Sequence, residues 1–346
     1  MGEYKIVDFS ANKKEKKIIL KNDYLEVGIS TVGATLVNLR LLKCEDKRDV
    51  VWGFDSADDY LANRGPYFGV IAGRVAGRID KGKFTLNGVD YQIPCNNNGN
   101  SLHGGIYGFD SKSYTYEVFE DDNEIGVKLN YLSVDGEEGY PGNLQLEVKY
   151  ILRNNTLHLE YHATTDKDTI INLTNHAYFN LEGHKSSSVL NHTLEVHADE
   201  FLGIDEDSCP RGNRVQVADT PFDFRKAKLI KECVSGEHEE LDKAKGIDHF
   251  FIFNKPSNPI MLKGGDGKVT LKVNTNQRGA NIYSGNFLDG SIVGKNGIAY
   301  PFQSAVCLET QNYNNDININ ENPTTILRVG DTYESWSDYT FEVEEK

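Results

Sequence analysis

Apolar and polar residues alternate along most of the chain in short runs. Alternation with a period of two places successive side chains on opposite faces of a strand, so each run predicts a half-buried β-strand. The predicted strands cover residues 16–20, 24–29, 34–39, 83–86, 114–119, 125–131, 144–150, 157–162, 194–197, 269–273, 280–284 and 305–309. Turn-forming residues separate several of them, and the glycine-rich segment 264–267 predicts a hairpin. The pattern therefore predicts a protein built mainly from short strands.

Helical patterns are few, with one capped turn at residues 56–61 and a short helix within residues 224–233. Strands do not alternate with helices, so a parallel nucleotide-binding sheet is not expected. The sequence also has no repeat, no low-complexity linker and no clear change in composition. We therefore expect an all-β fold with few short helices, formed by one large antiparallel domain over residues 1–346.

The segment 169–180 has the most informative pattern of polar positions. Read as a strand, it places five side chains on one face: Asn172, Thr174, His176, Tyr178 and Asn180. The opposite face is apolar apart from Asn175. Such a strand suits the wall of a polar cleft, where a histidine titrating near neutral pH can donate a proton. A solvated sheet face produces the same alternation and stays the alternative.

Three further places carry side chains that suit the binding of hydroxyl groups. Two arginines, Arg74 and Arg78, lie among small residues, and a guanidinium that reaches a cleft can hold a row of hydroxyls. His103 lies on a glycine-rich loop, and Asp248 stands where a strongly apolar strand begins. The alternatives are surface arginines, a loop histidine with ordinary partners, and an aspartate that caps a strand.

Glu309 ends the otherwise apolar strand at residues 305–309. Glutamates are rarely buried without a partner or a function, and partial burial would raise the pKa of Glu309 toward the range of a general base. A strand-end glutamate already in water is the alternative.

Upstream, residues 275–290 are dense in amides, small residues and aromatic rings, which suit a neutral polyol such as a sugar but also form ordinary loops.

Charge and cysteine usage limit the class of protein. The 346 residues carry a formal net charge of −15, which disfavours nucleic acid and anionic membranes as partners. No apolar run approaches the roughly 20 residues needed to span a bilayer, and the first residues lack the pattern of a secretory signal. Five scattered cysteines form no CxxC pair, which fits free thiols in a reducing cytosol. We therefore expect a cytoplasmic protein.

Taken together, these segments resemble the aldose 1-epimerase (galactose mutarotase) family. The resemblance rests on segments that come in the family's order, at residues 73–79, 100–105, 172–181, 220–225, 246–250, 284–290 and 307–311. Each segment alone is moderately specific, whereas the ordered set is highly specific and spans most of the chain.

The resemblance implies a large single-domain β-sandwich of the galactose mutarotase type (a supersandwich), with an open sugar cleft and no cofactor or metal. It implies an isomerase that interconverts the α and β anomers of free aldohexoses such as galactose and glucose. His176 is then the general acid and Glu309 the general base. The resemblance also places five residues around the sugar: Arg78, His103, Tyr178, Asp248 and Gln277. The only partner that it implies is a small aldose, and we expect a monomer or a weak dimer.

The sequence departs from the family pattern at two positions. Gly77 stands where members commonly carry asparagine, which removes a possible amide contact and leaves the preference between galactose, glucose and other aldoses open. Arg211 replaces a common threonine of a loop, and we expect this change to matter less, because nothing brings that loop to the reacting bond. Both proton-transfer positions, His176 and Glu309, are intact.

This acid–base hypothesis sets conditions on the structure. Ring opening of a hemiacetal removes the proton of the C1 hydroxyl, which we assign to Glu309, and protonates the ring oxygen, which we assign to protonated His176. Acidic neighbours should keep His176 protonated, and an apolar strand should raise the pKa of Glu309. The strands that carry the two residues should face one cleft from opposite sides.

Three other functions remain open at this point. A sugar-binding protein without turnover would have the same fold and cleft. An epimerase of hexose 6-phosphates would need a cluster of cationic residues, which the sequence does not indicate. A metalloenzyme is the most distant alternative.

Overall fold

The computed structural model describes residues 2–121, 124–254 and 260–344, and strands dominate it. The strands are β1 (Glu3–Asp8), β2 (Lys16–Lys21), β3 (Leu25–Ser30), β4 (Leu36–Leu41), β5 (Ile71–Ala72), β6 (Arg78–Ile79), β7 (Lys83–Leu86), β8 (Val89–Gln92), β9 (Ser101–Leu102), β10 (Thr115–Glu120), β11 (Ile125–Ser133), β12 (Leu144–Arg153), β13 (Thr156–Thr165), β14 (Thr169–Ile170), β15 (Thr174–Asn175), β16 (Tyr178–Phe179), β17 (Thr193–Val196), β18 (Ala198–Leu202), β19 (Arg214–Gln216), β20 (Lys228–Leu229), β21 (Asp248–Phe253), β22 (Ile260–Lys263), β23 (Val269–Thr275), β24 (Gly279–Tyr283), β25 (Val306–Gln311), β26 (Ile326–Leu327) and β27 (Tyr333–Val343). The α-helices of these ranges are α1 (Ala57–Ala62), α2 (Ile230–Val234), α3 (Glu239–Ala244) and α4 (Asp316–Ile319).

Two large sheets form the body of the protein. One has nine strands in the order β10-β11-β12-β13-β27-β23-β22-β17-β20, and the other has six in the order β16-β25-β24-β21-β18-β19. The pairings within both sheets are antiparallel. Their apolar side chains meet in one core, with Leu146 and Val273 from the first sheet and Ile282 and Leu308 from the second. Two sheets that share a core form the β-sandwich expected from the sequence, whereas one domain over residues 1–346 stays a prediction.

Each run that the alternation predicted as a strand overlaps a strand of the structure, which confirms the all-β prediction. Burial alternates along β12 and β23, as expected for strands with one face in the core. The glycine-rich segment 264–267 joins β22 to β23 as the predicted hairpin. The alternation did not predict β27, an eleven-residue strand in the middle of the nine-stranded sheet, whose buried positions include Ser335 and Ser337.

The helices are short, as predicted. The side chain of Ser56 caps α1 by accepting a hydrogen bond from the backbone N–H of Asp59 at 3.1 Å. The second predicted helix, within residues 224–233, is reduced to α2, because residues 228 and 229 pair with β17 as strand β20. None of the helices in the described ranges is long and apolar enough to cross a membrane.

The segment 169–180 is not the continuous strand that the sequence predicted. It forms three short strands, and β14, β15 and β16 pair with β26, β5 and β25, respectively. Its two faces are nevertheless as predicted, because Ile171, Leu173, Ala177 and Phe179 lie in the main core. The five side chains of the polar face are all buried, so a solvated sheet face is ruled out. His176 lies between β15 and β16, where its backbone N–H donates to the carbonyl of Val70 and its carbonyl accepts from the N–H of Gly69.

Candidate active site

A cavity of about 490 Å³ opens at the edge where β16, β25, β24 and β21 lie side by side. Six of the seven residues predicted from the sequence line it: Arg78, His103, His176, Tyr178, Asp248 and Glu309. They come from separate parts of the chain, and the six-stranded sheet brings together those on β16, β25 and β21. A concave site with a few convergent polar groups is typical of small-molecule binding.

His176 and Glu309 are neighbours within this cavity. Because β16 and β25 pair Tyr178 with Cys307, the same antiparallel register extended by two residues sets His176 opposite Glu309. His176 Nε2 lies 3.6 Å from Glu309 Oε1, and the two side chains are 6% and 2% exposed. The expectation that their strands face the cleft from opposite sides is therefore wrong, because the two residues lie side by side on one wall.

Burial shifts the pKa values of the two groups in opposite directions. It raises the pKa of the Glu309 carboxyl well above its ordinary value, and the nearby carboxylate of Asp248 raises it further. Burial lowers the pKa of His176 to about 4, against the smaller opposing effect of Asp248. The prediction for Glu309 is thus confirmed in direction. The prediction that acidic neighbours keep His176 protonated is wrong, because loss of hydration outweighs them. A single proton shared by the pair therefore prefers Glu309.

His103 is a neutral histidine in the same cavity. The backbone N–H of Gly77 donates a hydrogen bond to His103 Nδ1 at 3.2 Å, so the neutral ring carries its hydrogen on Nε2. Burial, and after it the charges of His176 and Arg78, hold the pKa of His103 well below its usual range. The ring lies edge-on to His176, with centroids 5.1 Å apart. His103 can therefore donate to a bound hydroxyl without carrying charge.

Asp248, Arg78 and Asn281 form a polar wall. Asn281 Nδ2 donates to Asp248 Oδ1 at 2.8 Å, and Arg78 Nη1 lies 3.9 Å from Asp248 Oδ2. Arg78 Nε donates to Asn97 Oδ1 at 3.1 Å. The side chain of Asn281 also hydrogen-bonds Glu309, which lowers the pKa of that carboxyl and opposes its burial. This wall offers both the donors and the acceptors that hydroxyl groups bind.

Two of the sequence candidates have different surroundings from those first considered. Arg74 is buried away from the cavity, where its guanidinium donates to the carbonyls of Pro141, Gly142 and Ser133. It is neither a surface arginine nor a ligand-binding one, but a structural residue. Tyr178 stacks on His176 with ring centroids 5.2 Å apart, and its hydroxyl donates to the carbonyl of Pro66 at 2.8 Å. Tyr178 therefore helps to fix the orientation of the His176 ring as well as lining the cavity.

Gln277 does not line the cavity, which contradicts its predicted place around the sugar. It lies in the turn between β23 and β24, where its Nε2 donates to Ser335 Oγ. The side-chain amide of segment 275–290 that does line the cavity is that of Asn281, which β24 sets opposite Glu309. Asn281 belongs to the amide-rich segment 275–290, so the composition pointed to the right segment and the wrong amide.

Sequence reasoning also missed other lining residues, among them Tyr67, Tyr283, Phe287, Gln311 and Asn314. Gln311 closes the segment 307–311 and could have been found there. Tyr283 and Phe287 lie in the amide- and aromatic-rich segment 275–290, which the sequence indicated as a whole without distinguishing these two rings. Tyr67 and Asn314 lie in stretches without a distinctive pattern.

Three of the buried groups, on His103, His176 and Glu309, offer atoms within 4.8 Å of one another and are the residues here that could hold a metal ion. Their chemistry fits a metal poorly. For His103 to ligate through Nε2, its hydrogen would have to move to Nδ1, and the hydrogen bond from the Gly77 N–H would be lost. The cavity suits a neutral, hydroxyl-rich ligand better.

Comparison with known proteins finds relatives named as mutarotases or aldose epimerases. Galactose mutarotase from Sus scrofa is 39% identical over 333 residues, which cover 95% of this chain and 94% of that protein. Aldose 1-epimerase from Haemophilus influenzae is 36% identical over 332 residues, covering 94% and 95%. The crystal structure of galactose 1-epimerase from Lactobacillus acidophilus superposes with a TM-score of 0.88 at 30% identity, covering 100% of this chain and 99% of that one.

A second solved structure, the aldose epimerase homologue from C. elegans, has a TM-score of 0.86 at 30% identity, covering 99% of this chain and all of that one. The sequence model of the aldose 1-epimerase family matches residues 16–340, and so contains every side chain of the cavity described above. This chain therefore belongs to the aldose 1-epimerase family.

Proposed function

We propose that the protein is a mutarotase, an isomerase that interconverts the α and β anomers of free aldohexoses such as galactose and glucose. The observation that carries the proposal is the adjacency of His176 Nε2 and Glu309 Oε1, 3.6 Å apart in a cavity lined by hydrogen-bond donors and acceptors. The relatives named galactose mutarotase and aldose 1-epimerase, at 36–39% identity, support it.

The reaction opens and recloses the hemiacetal ring. Glu309 as carboxylate takes the proton of the C1 hydroxyl while the bond between C1 and the ring oxygen breaks, and His176 as imidazolium protonates that oxygen. The product is the open-chain aldehyde. Rotation about the C1–C2 bond presents the other face of the aldehyde, and closure returns both protons to give the other anomer. Each well-placed acid or base contributes about 10²–10⁴-fold to the rate.

The number of protons that His176 and Glu309 share matches this scheme. Carboxylate plus imidazolium and carboxylic acid plus neutral imidazole contain the same single proton. Burial favours the second form, in which the pair stands after ring opening. A bound sugar brings hydroxyls that can hydrogen-bond both charged groups. The charge of Asp248 favours the imidazolium but opposes the Glu309 carboxylate, which Asn281 and Arg78 favour. We infer that binding of the sugar moves the proton from Glu309 to His176, which gives the carboxylate and the imidazolium that ring opening needs.

The other predicted residues would hold the sugar. We assign Arg78 and neutral His103 as donors to ring hydroxyls, Asp248 as an acceptor, and the Tyr178 ring as a flat wall beside the reacting carbon. Fixed contacts of this kind keep the proton transfers short. No step in this scheme involves Gln277.

The test is polarimetry of freshly dissolved α-D-galactose and α-D-glucose with the purified protein. We expect the optical rotation to reach equilibrium faster than in buffer, in proportion to protein concentration. Galactose binding without any acceleration would replace this proposal with a sugar-binding protein. Faster equilibration of glucose 6-phosphate alone would indicate a phosphosugar epimerase, for which the cavity holds a single lysine or arginine among its lining residues, Arg78.

We further propose that the protein works in the cytosol as a monomer or weak dimer, without a cofactor. The described cysteines, at positions 44, 95, 209, 233 and 307, are all free, which suits a reducing compartment. Sedimentation at working concentrations would test the oligomeric state, and a stable higher oligomer would contradict it.

A further inference from the structure

The space beside Gly77 is filled by a side chain from a distant part of the sequence. A Cβ atom at position 77 would lie 2.2 Å from Asn314 Oδ1 and 2.6 Å from its Cγ. Both distances are far below van der Waals contact, so the Asn314 amide can lie here only because position 77 has no side chain. The backbone of Gly77 also has a φ of +73°, which glycine adopts at little cost. Gly77 and Asn314 both line the cavity.

The Asn314 amide is held by the polar wall of the cavity. Gln311 Nε2 donates to Asn314 Oδ1, and Asn314 Nδ2 donates to Asn281 Oδ1 at 3.2 Å. Asn281 in turn donates to Asp248. A side-chain amide has two N–H groups and two lone pairs on its oxygen, so Asn314 retains one donor and one acceptor position. The amide is thus fixed in orientation and still able to bind a ligand.

Gln311 adds a second, independent sign that a ligand is expected here. Its Oε1 is buried and has no hydrogen-bond partner in the part of the chain that the structure describes. Gln311 also lines the cavity. A buried carbonyl oxygen without a partner is unfavourable, and a hydroxyl of a bound molecule would satisfy it. The free donor of Asn314 and the free acceptor of Gln311 together suit one hydroxyl group.

We propose that Asn314 is a substrate-positioning residue that helps to set the preference among aldoses, and that Gly77 is glycine in order to admit its amide. This inference rests on the proposed function, because it assigns the ligand as an aldose. The amide contact exists before and during ring opening, so its loss should raise KM and leave kcat nearly unchanged. Loss of one hydrogen bond of ordinary strength corresponds to a change of about two- to tenfold.

The first experiment compares the wild-type protein, Asn314→Ala and a control, Asn318→Ala. Asn318 lies close in sequence but hydrogen-bonds Lys83 and Asn315 instead of lining the cavity. Galactose binding is measured by calorimetry and turnover by polarimetry. We expect a two- to tenfold weaker affinity and a matching rise in KM for Asn314→Ala, and wild-type values for the control. An Asn314→Ala protein with the wild-type melting temperature and the wild-type affinity would overturn the inference.

Monodeoxygalactoses separate a direct contact from a structural effect. The deoxy sugar that lacks the contacted hydroxyl should bind the wild-type protein at least as weakly as galactose binds Asn314→Ala. Its loss of affinity relative to galactose should be smaller in the variant, which keeps only the Gln311 contact to that hydroxyl. Equal losses for every deoxy sugar in both proteins would overturn the contact. If the wild-type protein binds galactose but does not turn it over, the proposed function fails while the binding comparison still decides the role of Asn314.

The second experiment moves the side-chain amide from position 314 to position 77. Gly77→Asn should lose most of its galactose binding, because the new side chain meets the Asn314 amide. Gly77→Asn combined with Asn314→Ala should regain much of it, because the space is then free and asparagine tolerates positive φ better than most residues. This comparison does not depend on how Asn314→Ala alone folds. A double variant that melts like the wild type and binds no better than Gly77→Asn would overturn the inference.

Discussion

His176 and Glu309 lie opposite each other because the pairing of β16 with β25 sets Tyr178 against Cys307, two residues away on each strand. Their side chains therefore reach the cavity from one wall, with His176 Nε2 and Glu309 Oε1 3.6 Å apart. This arrangement fits the reaction, because the two oxygens that exchange protons are both bonded to C1 of the sugar. An acid and a base that act on such close oxygens can stand side by side.

Removing either member of this pair should abolish most of the activity. Glu309→Gln cannot accept the C1 hydroxyl proton, and His176→Asn cannot protonate the ring oxygen. We expect kcat to fall by about 10²–10⁴-fold in each variant, with galactose affinity within a few-fold of wild type. Polarimetry and calorimetry measure the two quantities. Near-normal turnover in a folded variant would remove that residue from its proposed role.

The pH dependence of kcat/KM should follow the proton shared by the pair. The pair binds a second proton as the pH falls through about 4, where His176 titrates, and it loses its only proton as the pH rises through the raised pKa of Glu309. We expect activity to decline at both limits, with the acidic limb near pH 4. Stopped-flow polarimetry across the pH range tests this. A single acidic limb centred near pH 6.5 would contradict it, because it would mean that His176 titrates like an exposed histidine.

The two arginines of the segment 73–79 should respond to substitution in different ways. Arg74→Ala leaves the buried carbonyls of Pro141, Gly142 and Ser133 without their donor, so we expect the free energy of unfolding to fall by about 3 kcal/mol or more. Arg78→Ala should raise KM and leave the unfolding free energy within about 1 kcal/mol of wild type. Urea unfolding and polarimetry on both variants measure these effects, and the opposite pattern would show that the roles are exchanged.

Gln277 and Asn281 form a matched pair that tests which amide serves the cavity. Asn281→Ala removes hydrogen bonds to Asp248 and Glu309, so we expect kcat/KM to fall at least about tenfold. Gln277→Ala loses its bond to Ser335, outside the cavity, and should keep wild-type kinetics. A kinetic defect confined to Gln277→Ala would restore the sequence-based assignment.

The alternation of apolar and polar residues was sufficient to predict most strands. It was insufficient where contacts with other parts of the chain decide which residues are buried or paired. Alternation located β12 and β23 because one face of each strand lies in the core. It failed for β27, whose buried positions include the polar Ser335 and Ser337. Alternation also predicted one continuous strand over residues 169–180. This segment forms three short strands instead, because its three parts pair with different partner strands.

The sequence by itself determined the all-β class, the family resemblance, and six of the residues that line the cavity out of the seven that it predicted, because each depends on residue types in a local order. Only the tertiary structure decided that His176 and Glu309 are neighbours, that Asn281 replaces Gln277 in the wall, and that Asn314 fills the space beside Gly77. It also decided which member of the pair prefers the proton. These features depend on strand register and burial, which arise when residues far apart in the chain come together and water is excluded between them.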